Sequence, residues 1–198
     1  MDELELKRQI FHVVCGIILV ILVKYDVLDF LRIIIFLIIG LVLSILSKKV
    51  KIPVINWFLT NFDREKDKKT IPGKGAIMYL VGLLIVYGLF ITQPDGKNIV
   101  MASMMILALG DAAPLFVRHI ARIKHPFNDK KFLEGAALGA MLGFLGAVIF
   151  VEPIAALIAS FFAMFAEGIE IRLGLAEVDD NITIPVVAAV VILLVQLL

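Results

Sequence analysis

The chain has a single cysteine, Cys15. Without a second thiol there is no disulfide to staple the fold and no thiolate cluster to hold a metal. Strong charge of either sign is missing too. Lysine and arginine total 19, aspartate and glutamate 18, and the formal net charge is +1. That balance points to no particular partner, and none of nucleic-acid type is expected. No internal repeat or low-complexity segment occurs. "PGKG" (72–75) lacks the spacing of a phosphate-binding loop. The opening "MDELELKRQIFHVVCG" is acidic before Lys7 and is followed by no small-residue cleavage site, so it does not read as a secretory signal.

What the chain has is apolar surface. Of its 198 residues 61% are hydrophobic and 19% charged, and the mean hydropathy is +1.02. One soluble core of this size cannot hide that much, so the expected class is an all-α integral membrane protein. Each crossing needs roughly 20 apolar residues. Seven segments qualify, at about 9–23, 27–47, 75–93, 98–120, 132–151, 153–171 and 182–198. They predict one embedded domain over 1–198. In "PVINWFLTNF", Ile55, Phe58, Leu59 and Phe62 share a helical face, which predicts a short interfacial helix over about 53–63.

The basic residues orient the bundle. With seven spans, the N-terminus and the even-numbered connections carry two, eight, five and one Lys or Arg, sixteen in all, and the opposite face carries three. The positive-inside rule then puts the N-terminus in the cytoplasm and the C-terminus outside. The expected location is a cell membrane, multi-pass, with the active site facing the cytoplasm.

The polar groups at membrane depth fall on that same side. Arg8 and His12 share a helix face. Asp111 interrupts an apolar run, Glu134 opens the fifth span, Glu167 and Glu170 end the sixth, and Asp179, Asp180 and Asn181 precede the seventh. An ionised carboxylate in hydrocarbon costs several kcal/mol, roughly, unless it meets a cavity or a partner. Asp111, Glu134, Glu167 and Asp180 would repel one another without cations between them. Oxygen ligands select hard ions such as Mg²⁺. Pro114 lacks an N–H and deprives the Gly110 carbonyl of its helical partner, an acceptor beside Asp111. "HPFNDKK" adds flexibility and positive charge there. Each residue also has a plainer reading: an arginine partner for Asp111, an interfacial role for His12, helix capping for Asp179 to Asn181. Gly135, Gly139, Gly143 and Gly146 stand at small-residue spacing, which favours close packing and would bring Glu134 to Asp111.

"LKRQIFHVVCG", "ALGDAAPLFV", "KKFLEGAALG" and "AEGIEIRLGLAEVDDNITIP" resemble, in that order, the signature blocks of the polyprenol kinase family. That family comprises dolichol kinase, phytol kinase and the CTP-dependent diacylglycerol kinase. The chain is more distantly similar to phosphatidate cytidylyltransferase. The resemblance covers about residues 6–187. It implies a membrane enzyme that uses CTP and Mg²⁺ to phosphorylate a membrane lipid alcohol of the polyprenol or dolichol type. It points to Arg8, His12, Asp111, Lys131, Glu134, Gly135, Glu167, Asp180, Asn181 and Pro185.

In that reading Asp111, Glu134 and Asp180, with Glu167 near, hold the metal. Lys130, Lys131 and Arg118 or Lys124 neutralise the triphosphate, beside Arg8, Gly135 and Asn181. An acid or His12 takes the hydroxyl proton. The chain departs from the family in "RHIARIKHPFNDKK", which has no glycine where many members have a Gly-Lys-rich stretch. The alternative is a CTP:lipid-phosphate cytidylyltransferase that makes a CDP-lipid. An ion-coupled carrier is disfavoured, because the outer halves of the spans are almost purely apolar. The lipid and the oligomeric state are left open.

Overall fold

In the computed structural model, residues 3–173 and 176–198 are described, and most of them are helical. In chain order the elements are α1 (Glu3–Lys24), α2 (Phe30–Ser47), α3 (Pro53–Phe62), α4 (Glu65–Thr70), α5 (Lys74–Phe90), α6 (Gly96–Gly110) and α7 (Pro114–Val117). There follow the antiparallel hairpin β1 (Lys124–His125) and β2 (Asn128–Phe132), then α8 (Leu133–Ala147) and α9 (Pro153–Ala166). A second hairpin, β3 (Arg172–Leu173) and β4 (Ala176–Glu177), leads into α10 (Asp180–Gln196).

Helix α6 is apolar all round, and such a helix belongs in an interior. Ile99, Val100, Ala102, Ile106, Leu107 and Ala108 are wholly buried, and α1, α5, α8, α9 and α10 pack around them. The glycine stripe of α8 lies against this helix: a Cβ at Gly143 would press on Ile106, and one at Gly146 on Leu109 and Met105. Helix α2 is the opposite case. It packs on α5 and, more lightly, on α3, and exposes Ile35, Phe36, Ile38, Ile39 and Ile45. A row of large apolar side chains facing outward is what a hydrocarbon solvent favours.

Among the described residues three stretches, Glu3–Lys24, Phe30–Ser47 and Gly96–Val117, are long and apolar enough to cross a membrane. The helices at the other four expected spans, α5, α8, α9 and α10, are apolar but shorter. Helix α8 stops at Ala147 in a turn, and α9 stops at Ala166 before Glu167. Both fall short of the expected ends at 151 and 171. The 15 residues of α8 rise about 22 Å, against roughly 30 Å of hydrocarbon.

The expected interfacial helix is α3. Phe58 and Phe62 pack on Phe11 of α1, each with ring centroids 4.8 Å apart, while Val54 and Trp57 face outward. Two local expectations need correction. The Gly110 carbonyl is not left free, because the Ala113 N–H donates to it at 3.1 Å in a tight turn, and Pro114 then opens α7. Nor is the 124–132 stretch a flexible loop. It is the β1–β2 hairpin, pinned where His125 is buried against Phe165, ring centroids 4.9 Å apart.

Candidate functional site

Three helix ends converge on one spot. Asp111 is the C-cap of α6, Glu167 is the C-cap of α9, and Asp180 is the first residue of α10. Each offers a carboxylate oxygen, and the three oxygens lie within 4.8 Å of one another. At that separation each like-charged pair costs roughly 3 kcal/mol or more at a protein-like effective dielectric. Asp111 and Glu167 also stand at helix C-termini, where the backbone dipole already concentrates negative charge. Both effects disfavour carboxylates there unless a cation is present.

One cation comes from the chain. Lys131, on β2, sends Nζ to Oε1 of Glu167 at 3.0 Å, to the Glu167 carbonyl at 2.6 Å and to Oδ2 of Asp180 at 2.9 Å. Burial alone would push the Lys131 ammonium down, but Glu167 and Asp180 outweigh it and hold it above the ordinary lysine range. With the three carboxylates ionised, this single ammonium leaves two negative charges for other cations, and Arg8, on α1, is near enough to Asp111 to interact with it. From the other side His12, on α1, brings Nε2 to 3.6 Å from Oδ2 of Asp111 and 3.4 Å from the Leu107 carbonyl.

A cavity of about 270 Å³ opens over this group, and Arg8, Arg64, Arg118, Lys130 and Lys131 contribute to its wall. Gly135 also lines it, packed closely on Pro114. Arg8 donates to Glu5, 3.1 Å from Nε, and Arg64 approaches the same carboxylate at 3.8 Å. A second cavity, of about 260 Å³ and mostly apolar, adjoins through Arg8, which borders both.

Several sequence-derived residues lie elsewhere. Glu134 does not join the acidic group. Its carboxylate accepts the backbone N–H groups of Arg122 and Ile123, at 2.8 and 3.0 Å, and so ties down the approach to the hairpin. The glycine stripe does bring α8 against α6, but Glu134, in the first turn, points to this loop instead. Lys124 pairs with Asp129 at 3.4 Å and is not part of the basic wall. Asn181 borders the apolar cavity, with Nδ2 donating to Oδ1 of Asp179 at 2.6 Å. Asp179 caps α10 and meets Lys74 at 3.4 Å.

Sequence reading missed Arg64, Glu5, Tyr79 and His125. The signal at His125 is Gly168, where any Cβ would collide with the imidazole. Burial, aided by the Lys131 charge, holds His125 below its ordinary range.

The chain is similar, 27% identical over 193 residues, to an uncharacterized protein of Methanocaldococcus jannaschii. The match covers 95% of this chain and 92% of that one. No known family profile matches the chain. No solved structure matches it either.

Proposed function

We propose that the chain is a CTP-dependent kinase that phosphorylates the hydroxyl of a membrane lipid alcohol of the polyprenol type, with Mg²⁺, at the cytoplasmic face. In this reading α1, α2, α5, α6, α8, α9 and α10 are the seven spans, the N-terminus is cytoplasmic and the C-terminus outside. The observation that carries it is the convergence of Asp111, Glu167 and Asp180 on Lys131 beneath a cavity walled by arginine and lysine. Carboxylates that gather cations, under basic groups that gather anions, suit a metal–triphosphate pair.

The donor set fits the metal. All three ligand groups are hard oxygens, the choice of Mg²⁺, and an ammonium already occupies a cation's place between two of them. The ion would neutralise charge on the triphosphate and orient it. Phosphoryl transfer otherwise needs mainly positioning and charge compensation from the protein. Lys131 stays protonated beside its two carboxylates. Arg8, Arg64, Arg118 and Lys130 meet the outer phosphate oxygens. The alcohol oxygen forms a bond to the γ-phosphorus as the bond from that phosphorus to the β,γ-bridging oxygen breaks, and CDP leaves with the electron pair. The hydroxyl proton passes to the His12–Asp111 pair.

The test uses purified protein in lipid nanodiscs with Mg²⁺, labelled nucleoside triphosphates and a panel of lipid alcohols. Lipid labelled from γ-labelled CTP, with CDP released, is the expected result. Label entering only from the α position, with lipid phosphate as acceptor, replaces the kinase with a cytidylyltransferase. No incorporation from either position overturns both.

A further inference from the structure

The second cavity runs along α1 from Arg8 to Leu19, about 16 Å at the helical rise. Its polarity changes along that length. Arg8, Asp63 and Asp67 border one end, while Ile18, Leu19 and Leu80 belong to the apolar remainder. At about 260 Å³ it is smaller than the usual pocket for a drug-sized ligand, so it is a slot that holds the end of a molecule.

Two residues on its wall each carry a buried polar atom without a hydrogen-bond partner among the described residues: Tyr79 its hydroxyl, Asn181 its Oδ1. Tyr79 is 4% exposed, and leaving such a group unpaired costs roughly 1–3 kcal/mol. The fold is shaped around both residues. A Cβ at Gly16 would strike the Tyr79 hydroxyl, and one at Gly82 would strike the Asn181 carbonyl. The Asn181 amide is oriented by its Nδ2 bond to Asp179, so the free atom is the oxygen, an acceptor. The phenol can donate. One donor and one acceptor are together what a single alcohol hydroxyl satisfies. The His12 ring lies edge-on to Tyr79, centroids 4.8 Å apart, and reaches across to Asp111.

We infer that this slot seats the hydroxyl end of a single-chain lipid alcohol, with Tyr79 donating a hydrogen bond to the alcohol oxygen and Asn181 Oδ1 accepting one from its O–H until the proton passes to the His12–Asp111 pair. The chain leaves along Cys15 and Ile18 toward the bilayer, and Phe11, Phe58 and Phe62 form the wall on the α3 side. The occupant's identity as an acceptor rests on the kinase reading, whereas its place in the slot is tested without any turnover. A two-tailed glycerolipid does not suit so small a space.

The experiment is photocrosslinking of the full-length protein in phosphatidylcholine nanodiscs with a diazirine-bearing farnesol, no nucleotide present. Adducts are expected on peptides carrying Phe11–Leu19 and Ala76–Leu80, competed at least tenfold better by unlabelled farnesol than by dioleoylglycerol. Leu80→Trp fills the slot, and is expected to cut the adduct yield at least tenfold with retention of labelled CTP changed less than twofold. Tyr79→Phe keeps the shape. It is expected to reduce the preference for farnesol over the matching hydrocarbon farnesene by about fivefold, the worth of one hydrogen bond.

Adducts scattered over the outer face of α2, stronger competition by dioleoylglycerol, or an unchanged preference in Tyr79→Phe each overturn the inference. Competed adducts in the slot together with no phosphate transfer from any nucleotide would instead uphold the slot and sink the kinase.

Discussion

Lys131 and Glu167, 36 positions apart in sequence, meet through both side chain and backbone: Nζ stands 3.0 Å from Oε1 and 2.6 Å from the Glu167 carbonyl oxygen. The carbonyl belongs to the C-terminal end of α9, and a helix end leaves such acceptors without internal partners. One ammonium therefore ends α9, ties it to the β1–β2 hairpin and, through Asp180 at 2.9 Å, joins both to the start of α10. Asp111 completes the group without an ion pair to Lys131; the basic groups that face it are His12, at 3.6 Å, and Arg8.

Replacing Lys131 by methionine keeps the stem and removes the charge. Glu167, which is buried, and Asp180 then face each other unpaired, at a cost of about 2 kcal/mol, less than for a fully buried pair because Lys131 and Asp180 are partly exposed. The melting temperature in detergent is expected to fall by several degrees, and millimolar Mg²⁺ to restore part of the loss. A Lys131→Met protein that melts like the wild type, with and without Mg²⁺, contradicts this account.

Asp111→Asn leaves the shape of the α6 terminus and removes one of the three charges. Thermal scans of the wild type are expected to shift upward with Mg²⁺, by about 2.7 kcal/mol at a hundredfold excess over the dissociation constant, and those of the variant not to shift. Turnover of CTP is expected to be lost while circular dichroism is unchanged. A full Mg²⁺ shift in Asp111→Asn removes Asp111 from the ligand set.

Much of this was legible in the chain, for physical reasons. A carboxylate inside or at the end of an apolar span announces its own cost, which is why Asp111, Glu167 and Asp180 stood out before any coordinates. The helical face of Phe58 and Phe62 likewise identified α3. Glu134 looked equivalent to the other acids but is not. Nothing in its spacing shows that the backbone N–H groups of Arg122 and Ile123 turn back toward α8 and satisfy it. The β1–β2 hairpin was hidden for a similar reason. Its five-residue strand carries Asp129, Lys130 and Lys131, a polar run without the alternation that marks a half-buried strand. Burial of His125 against Phe165 is a tertiary contact that holds it in place. The shorter helices were overestimated because hydropathy continues through turns, as at Val148 to Val151, where the backbone has already left the helix.

Asp63 lies between α3 and α4, where it is 6% exposed and accepts the Gly73 N–H at 2.9 Å. Burial pushes its carboxyl above the usual range, the Gly73 N–H opposes this, and the nearby Asp67 adds to it. An acid held up in the fold favours the folded state when protonated, and that contribution is lost as pH rises through its titration. At neutral pH the ionised group is therefore a cost. Asp63→Asn keeps an acceptor for Gly73 and is expected to raise the melting temperature at pH 7 but not at pH 4. Asp63→Ala loses the bond, about 1 kcal/mol, and is expected to melt lower at both. A lower melting temperature for Asp63→Asn at pH 7 overturns this reading.

Glu134 separates two roles by a single pair of substitutions. A metal ligand needs its charge, whereas an anchor for two N–H groups needs only an acceptor. Glutamine supplies the acceptor, so Glu134→Gln is expected to retain turnover within about tenfold, each bond weakening from a charged to a neutral one. Glu134→Ala frees the loop at Arg122 and Ile123, which carries Lys130 and Lys131 behind it. Its KM for CTP is expected to rise at least tenfold, with kcat falling less. The Mg²⁺ shift of the melting temperature is expected to survive in both variants, since Asp111, Glu167 and Asp180 remain. Loss of that shift in Glu134→Gln, with turnover abolished as in Asp111→Asn, would return Glu134 to the metal.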